Sequence, residues 1–87
     1  MQQKIRQFIL TNFLFTEDES LLRNDASLLE EGVLDSTGVL ELVAFVESEF
    51  GIKVADEELV PEHLDSVASI VAFIGVKQQA AREMVSA

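Results

Sequence analysis

Apolar residues recur at helical spacing in three stretches of this 87-residue chain. Separations of three and four positions place such residues on one face of a helix. The three stripes are Ile5, Phe8, Ile9 and Phe13, then Val39, Leu42, Val43, Val46 and Phe50, and finally Val67, Ile70, Val71 and Ile74. The sequence contains no strand-like alternation of useful length. The pattern therefore predicts an all-α protein with three amphipathic helices.

Capping residues set the expected helix boundaries. The first helix is predicted over residues 2–15, and the second begins at Asp35-Ser36 and ends before Gly51. A short third helix is expected near "DEEL" at 56–59, where Pro61 ends or redirects it. The fourth helix begins at Asp65-Ser66. The expected fold is one domain over residues 1–87, a small four-helix bundle with a long loop between its first two long helices.

The matched stripes also predict the core of the bundle. We expect mutual contact among Val43, Val46, Phe50, Ile70 and Ile74, with Phe8 and Ile9 closing the other side. A chain of this length buries only about 60–65% of its unfolded surface, so its stability margin is small.

The charge is strongly uneven. The chain has 16 acidic and 6 basic residues, and 15 of the acids lie between Glu17 and Asp65. A band this negative repels nucleic acid and anionic membranes, and it favours partners with basic patches. We therefore expect no nucleic-acid binding. The longest apolar run, "VASIVAFIGV", is too short to span a membrane, so no membrane insertion is expected.

Several kinds of chemistry are absent from the sequence. There is no cysteine, which excludes disulfides and a protein thiol nucleophile. The single histidine, His63, lacks a second ligand, so no metal site is expected, and we place it at the surface between the third and fourth helices. No catalytic motif is present, which favours a protein that is not an enzyme. The start "MQQKIRQFILTNFLF" loosely resembles a signal peptide, but Thr11 and Asn12 interrupt its apolar part and no small-residue cleavage site follows, which favours a cytoplasmic location.

The dipeptide Asp-Ser occurs twice, at 35–36 and 65–66, each time just before an apolar helical stripe. Asp and Ser are both good N-caps, so helix capping is the simplest role for either serine. The two surroundings differ, because only Ser36 opens a helix with an acidic and partly apolar outer face. A helix N-terminus also favours a bound phosphate. Ser36 is therefore a candidate to hold a phosphodiester.

The stretch "EEGVLDSTGVLELVAFVESEFGIKV" resembles the centre of an acyl carrier protein, and "DEELVPEHLDSVASIVAFI" resembles the second half of that family. The resemblance covers almost the whole chain. It implies a four-helix bundle whose Asp-Ser serine carries 4′-phosphopantetheine from coenzyme A. By this likeness Ser36 is the attachment residue, Asp35 is the flanking motif residue, and Ser66 only caps the last helix.

The resemblance also implies the partners. A phosphopantetheinyl transferase would attach the arm, and acyl- or aminoacyl-activating and acyl-transferring enzymes with basic patches would use it in fatty acid or secondary metabolite biosynthesis. The arm would supply the thiol for thioester formation, and the carrier is expected to be a monomer. The partner surface is predicted to consist of Thr37, Leu40, Glu41, Ala44 and Glu47. The acidic first loop at Glu17–Glu19 is the rival location, because its charge could equally steer a partner.

The sequence departs from the usual family pattern at Thr37, where leucine is common, and at Gly38. The departure at Thr37 favours a stand-alone carrier of a specialised pathway. Two alternatives stay open: an aminoacyl or peptidyl carrier, and an unmodified acidic helical adaptor. Peptidyl carriers often have Gly-Gly or Gly-His before the serine, and "VLDS" lacks both, which favours an acyl cargo.

Overall fold

The computed structural model describes residues 1–86, with side chains described up to residue 80, and this part of the chain is helical without strands. The α-helices are α1 (Gln2–Ile9), α2 (Ser36–Phe50), α3 (Pro61–Leu64) and α4 (Val67–Ser86). A π-helical turn (Leu10–Leu14) continues α1, and two 3-10 turns lie at Glu19–Leu21 and Asp56–Glu58. The predicted all-α bundle is confirmed. Within the described residues, none of the helices has the length and apolar character needed to cross a membrane.

Helices α1 and α2 run antiparallel. The Lys4 ammonium pairs with the Glu49 carboxylate at one end of the pair. At the other end, the Phe13 ring lies against Gly38 in the first turn of α2. The π-helical turn that continues α1 therefore lies beside the start of α2, although about twenty residues separate them in sequence.

The first helical stretch ends at Phe15, which adopts a left-handed conformation with φ 54° and ψ 43°. Its backbone N–H bonds to the carbonyl of Leu10. Glycine is the usual residue at such a helix terminus, and a side chain with a Cβ atom is disfavoured there by roughly 1–2 kcal/mol. Helix α2 ends in the ordinary way, at Gly51 with φ 67°. The predicted limits of both helical stretches are confirmed to within about a residue.

The predicted core is partly confirmed. Ile9, Val46, Ile70 and Ile74 are almost completely buried. Val43 and Phe50 are only half-buried at its edge, and their predicted burial is wrong. Phe8, which was expected to close the other side of the core, is half-buried and packs against it.

The reason is the rotation of α2, whose innermost line runs through Gly38, Leu42 and Val46. Phe45 of α2, which the sequence pattern did not assign to the core, packs against α1. Its ring stacks on that of Phe8 with centroids 4.2 Å apart, and it meets Phe50 edge-on at 6.3 Å. The half-buried aromatic residues thus form a seam beside the aliphatic core.

The long loop is anchored by buried leucines. Leu22, Leu28 and Leu34 are each 5% exposed or less. They insert into the core at intervals of six residues, so the loop behaves as a part of the packed domain.

A buried arginine fixes the first half of this loop. The Arg6 guanidinium, on α1, donates to the Leu22 carbonyl at 2.9 Å and to Asn24 Oδ1 at 2.6 Å. It also donates to the Glu19 carbonyl at 2.8 Å and to the Glu19 carboxylate at 3.2 Å. These bonds satisfy a charge that would otherwise be costly to bury.

The predicted third helix needs a correction. Residues 56–58 form only a 3-10 turn, and Pro61 begins α3 instead of ending a helix. Proline suits the first position of a helix, where its missing N–H would have no acceptor in any case. His63, within α3, is half-buried and stacks on the Phe73 ring of α4 at 4.5 Å. The predicted surface position between the third and fourth helices is therefore wrong, because the residue belongs to α3 and its ring packs against α4.

Candidate functional site

The first Asp-Ser pair begins α2, and its two residues have different roles. Asp35 is the N-cap, and its carboxylate accepts a hydrogen bond from the Gly38 N–H at 2.7 Å. Ser36 is the first helical residue, it is exposed, and its hydroxyl has no hydrogen-bond partner among the described residues. The capping role is filled by the aspartate, so the Ser36 hydroxyl is left available for chemistry.

The second Asp-Ser pair is used in the opposite way. Ser66 precedes the first residue of α4 and caps it, since its hydroxyl accepts from the Ser69 N–H at 3.1 Å. Asp65 instead reaches the long loop. Its carboxylate accepts from the Ser27 hydroxyl at 2.6 Å and from the Leu29 N–H at 2.9 Å. The two copies are therefore structurally distinct, and the predicted cap at Ser66 is confirmed.

The start of α2 has the features of an anion site. The Ser36 and Thr37 N–H groups precede the first helical hydrogen bond, and neither has an acceptor within residues 1–86. Free N–H groups at a helix N-terminus, together with the helix dipole, stabilise a phosphate. A phosphate ester on the adjacent Ser36 hydroxyl would meet both.

Gly38 is required by close packing. A Cβ atom at this position would lie 3.1 Å from Cε1 of Phe13 and 3.2 Å from both Asp35 Oδ1 and Leu34 Cδ2. The absent side chain lets the end of α1 press on the first turn of α2. Glycine weakens a helix by up to about 1 kcal/mol relative to alanine, and the sequence alone shows no gain to offset this. Its role in packing the turn that presents Ser36 becomes visible in three dimensions.

An apolar cleft of about 450 Å³ opens beside Ser36, between α2 and α3. Its walls come from the long loop, α2, and the segment leading into α3. The lining residues are Leu29, Ser36, Val39, Leu40, Leu59, Val60, Pro61 and Leu64. Leu40 and Leu29 are 60% and 40% exposed at its rim. Ser36 supplies the single polar side chain of this lining.

The predicted partner surface is exposed in all but one of its residues. Thr37, Leu40, Glu41 and Ala44 lie on the solvent side of α2. Glu47 differs, because it is half-buried and its carboxylate accepts a hydrogen bond from the Val54 N–H at 2.8 Å. Its charge therefore has a structural role in fixing the segment after α2.

A family model described as the phosphopantetheine attachment site matches residues 5–74, which is most of the chain. The chain belongs to the acyl carrier protein family. Its prosthetic group is 4′-phosphopantetheine, and its function is that of an acyl or aminoacyl carrier, as predicted. The comparison does not favour the alternative of an unmodified adaptor.

Proteins similar to this chain include both an acyl carrier and an aminoacyl carrier. An acyl carrier protein of Thermotoga maritima is 40% identical over 60 residues, covering 69% of this chain and 72% of the relative. A D-alanyl carrier protein of Streptococcus pyogenes is 40% identical over 67 residues, covering 77% and 84%. A solved structure titled as an FAD-dependent dehydrogenase contains a chain that is 34% identical, with a TM-score of 0.69 and coverage of 79% and 96%.

Some functional features of the carrier were missed by the sequence reading. Leu29, Leu59 and Val60 form walls of the cleft, and Asp65 ties one of those walls in place. The Leu28-Leu29 pair could have indicated the wall at Leu29. When two leucines are adjacent in a loop, one can face the core while the other faces a neighbouring surface. Nothing in the local sequence around Asp65 indicates its contact with residues 27–29.

Proposed function

We propose that Ser36 carries the 4′-phosphopantetheine arm, and that partner enzymes approach the N-terminal end of α2. The main support is the contrast between the two serines. Ser36 is exposed with a free hydroxyl, whereas the Ser66 hydroxyl is half-buried and bonded to the Ser69 N–H and hydroxyl. A transferase can reach the first without breaking a helix cap.

The residues around Ser36 prepare it for phosphoryl transfer. Asp35 fixes the first turn of α2, and the free N–H groups of Ser36 and Thr37 favour the negative charge of the phosphodiester. In the transfer, Ser36 Oγ bonds to the pantetheine-bearing phosphorus of coenzyme A. The bond from that phosphorus to the adenosine bisphosphate leaving group breaks, and the hydroxyl proton passes to a base of the transferase. Once attached, the arm supplies the thiol that this cysteine-free chain lacks.

Intact-mass measurement tests the assignment. After incubation with coenzyme A, Mg²⁺ and a phosphopantetheinyl transferase, the wild-type chain and Ser66→Ala should gain the mass of one phosphopantetheine. Ser36→Ala should gain none. Modification that persists in Ser36→Ala, or that peptide mapping finds on Ser66, would overturn the proposal.

We also propose that Glu41 steers partners toward this end. It is exposed and has no ion-pair partner among the described side chains, unlike Glu47 with its bond to Val54. Glu41→Lys should lower the transferase rate and reduce its dependence on salt, since exposed acids act mainly on association. Glu49→Lys is the control, because it makes the same charge change at the far end of α2. Since it also removes the ion pair with Lys4, its Tm is measured alongside the rate. Equal effects of the two variants would argue for non-specific attraction.

The lining of the cleft favours an apolar acyl cargo over a small aminoacyl group. Burying a chain there would remove apolar surface from water on both sides. An octanoyl thioester of the phosphopantetheine on Ser36 should therefore raise Tm above that of the alanyl thioester of the same arm. Replacing Leu59 by Ser should reduce the difference. Equal Tm values for both cargoes would favour an aminoacyl carrier, in line with the D-alanyl relative.

The proposed carrier performs no catalysis of its own. Its specific partners are proposed to be a phosphopantetheinyl transferase and acyl- or aminoacyl-activating and acyl-transferring enzymes. The 34% identical chain adds an FAD-dependent dehydrogenase to the enzyme classes worth assaying as acceptors of the loaded carrier. A monomeric state and a cytoplasmic location stay predictions.

A further inference from the structure

Phe15 combines two unfavourable features. Its side chain is 83% exposed, the largest fraction among the exposed large apolar residues of the described part of the chain. Its backbone has a positive φ, which aromatic residues rarely adopt. A glycine or asparagine would fit the same turn without strain and without exposing an apolar ring. A strained, exposed residue of this kind points to a role in binding.

Phe15 lies at the functional end of the carrier. It follows Phe13 by two residues, and the Phe13 ring packs on Gly38, which is itself two residues after Ser36. Any enzyme that takes the Ser36 hydroxyl into its active site is thereby brought close to the end of α1. The backbone of Phe15 is thus two residues from the contact with the first turn of α2, and its exposed ring lines a depression with Thr11, Thr16 and Glu17.

The chain beside Phe15 is acidic. Glu17, Asp18 and Glu19 follow it and are all exposed. Asp18 is bonded to Ser20, and Glu19 to Arg6 and Gln3. Glu17 has no ion-pair or hydrogen-bond partner in the described structure, so its charge remains fully available to a partner. With Thr16 it forms the rim of a shallow depression that includes Phe15.

We propose that Phe15 and Glu17 form a second docking point for the phosphopantetheinyl transferase, which receives the ring in an apolar socket with a basic rim. The inference rests on the proposed function at Ser36. Charge complementarity selects this occupant over a second copy of the chain, because a dimer through Phe15 would bring two acidic runs together in a molecule of net charge −10. Aromatic residues, phenylalanine included, are enriched at the cores of protein interfaces, where a few anchors in well-packed pockets carry most of the binding energy.

The test measures kcat/KM of a phosphopantetheinyl transferase with coenzyme A and the apo carrier. Phe15→Gly and Phe15→Asn should each lower kcat/KM about tenfold through KM, which is about 1.4 kcal/mol of transition-state binding. Both variants should keep or raise Tm, because their residues accept a positive φ. Glu17→Gln should lower kcat/KM about two- to threefold at low salt, with little effect at high salt.

Val76→Ala is the matched control, since Val76 is 67% exposed on α4 and stands apart from the Ser36 site. It should leave kcat/KM unchanged. Three outcomes would overturn the inference while leaving Ser36 as the attachment residue. They are wild-type kcat/KM for both Phe15 variants, an equal loss of kcat/KM in Val76→Ala, and a dimer in sedimentation that depends on Phe15. A wild-type chain that the transferase does not modify would overturn the proposed function itself, and the docking point with it.

Discussion

The Ser27 hydroxyl donates a 2.6 Å hydrogen bond to the Asp65 carboxylate across 38 positions of sequence. The same carboxylate accepts from the Leu29 N–H, and the Asp65 carbonyl accepts from the Leu28 N–H at 2.6 Å. The junction of α3 and α4 thus holds the loop segment that forms one wall of the cleft.

We expect Asp65→Ala to lower the free energy of unfolding by about 2–3 kcal/mol, because it removes two bonds to a charged acceptor. Ser27→Ala should cost about 1 kcal/mol, and the double variant less than the sum, since the two residues share a bond. Urea denaturation measures all three. Asp56→Ala, at an exposed acid in a 3-10 turn, should stay within about 0.5 kcal/mol of the wild type. Strict additivity of Asp65→Ala and Ser27→Ala would show that their bond contributes nothing.

The two serines should differ in stability as well as in chemistry. Ser66→Ala removes the N-cap of α4 and should cost about 1 kcal/mol. Ser36→Ala removes an exposed hydroxyl without a partner and should change stability by less than about 0.5 kcal/mol. The comparison corrects the simpler expectation, drawn from the repeated dipeptide, that both serines cap their helices. Equal losses in denaturant titrations would mean that Ser36 caps α2 after all.

Two helical glycines should respond in opposite directions to alanine. Gly75 has no atom within 4 Å of an added Cβ, so Gly75→Ala should stabilise α4 by about 0.5–1 kcal/mol. Gly38→Ala should instead destabilise by about 1–3 kcal/mol, because its Cβ would press on Phe13 and Leu34. Thermal unfolding by circular dichroism distinguishes these outcomes. A stabilised Gly38→Ala would mean that the end of α1 is free to move away from α2.

The Glu58–Lys77 pair should contribute to acid sensitivity. The hydrogen bond from Lys77 at 2.8 Å, followed by the bond from the Ala55 N–H, lowers the pKa of Glu58 below its ordinary value of 4.5. A lowered folded-state pKa gives stability that is present above the ordinary value and lost as the pH falls through the folded value. Lys77→Met should therefore lower Tm at neutral pH, with a difference from the wild type that shrinks below about pH 4.5.

The control for this pair is Glu58→Gln, in which Lys77→Met should have almost no effect on Tm at any pH. A Tm difference between wild type and Lys77→Met that persisted unchanged at pH 3 would place the contribution of Lys77 in its packing against α4 neighbours instead of in the ion pair.

The local sequence predicted correctly those structural features that depend only on residues close together in the chain. The helix starts at Asp35 and Ser66 and the glycine end at Gly51 follow from capping chemistry that acts over one turn. Helix phase is less local. Helical spacing puts Leu42, Val43, Val46 and Phe50 in one stripe, and only the packing of α1 and α4 decides which of them are fully buried.

The sequence pattern did not predict features that are formed by contacts between residues far apart in the chain. Arg6 reads as one of two basic residues near the N-terminus, yet its guanidinium is buried because carbonyls of the loop surround it. Pro61 was read as a helix breaker, although the same ring geometry suits a helix start, and the extended backbone at Val60 selects the second role. The cleft beside Ser36 requires three separate segments to meet.

The antiparallel pairing of α1 and α2 has a practical consequence for work with this carrier. The Lys4–Glu49 contact puts the amino terminus at one end of α2, and Ser36 stands at the other, about 22 Å away along a 15-residue helix. A tag, a fluorophore or a bead coupled through Met1 should hold the molecule with its serine pointing outward. Immobilised carriers of this kind should accept the pantetheine arm at the same rate as free ones.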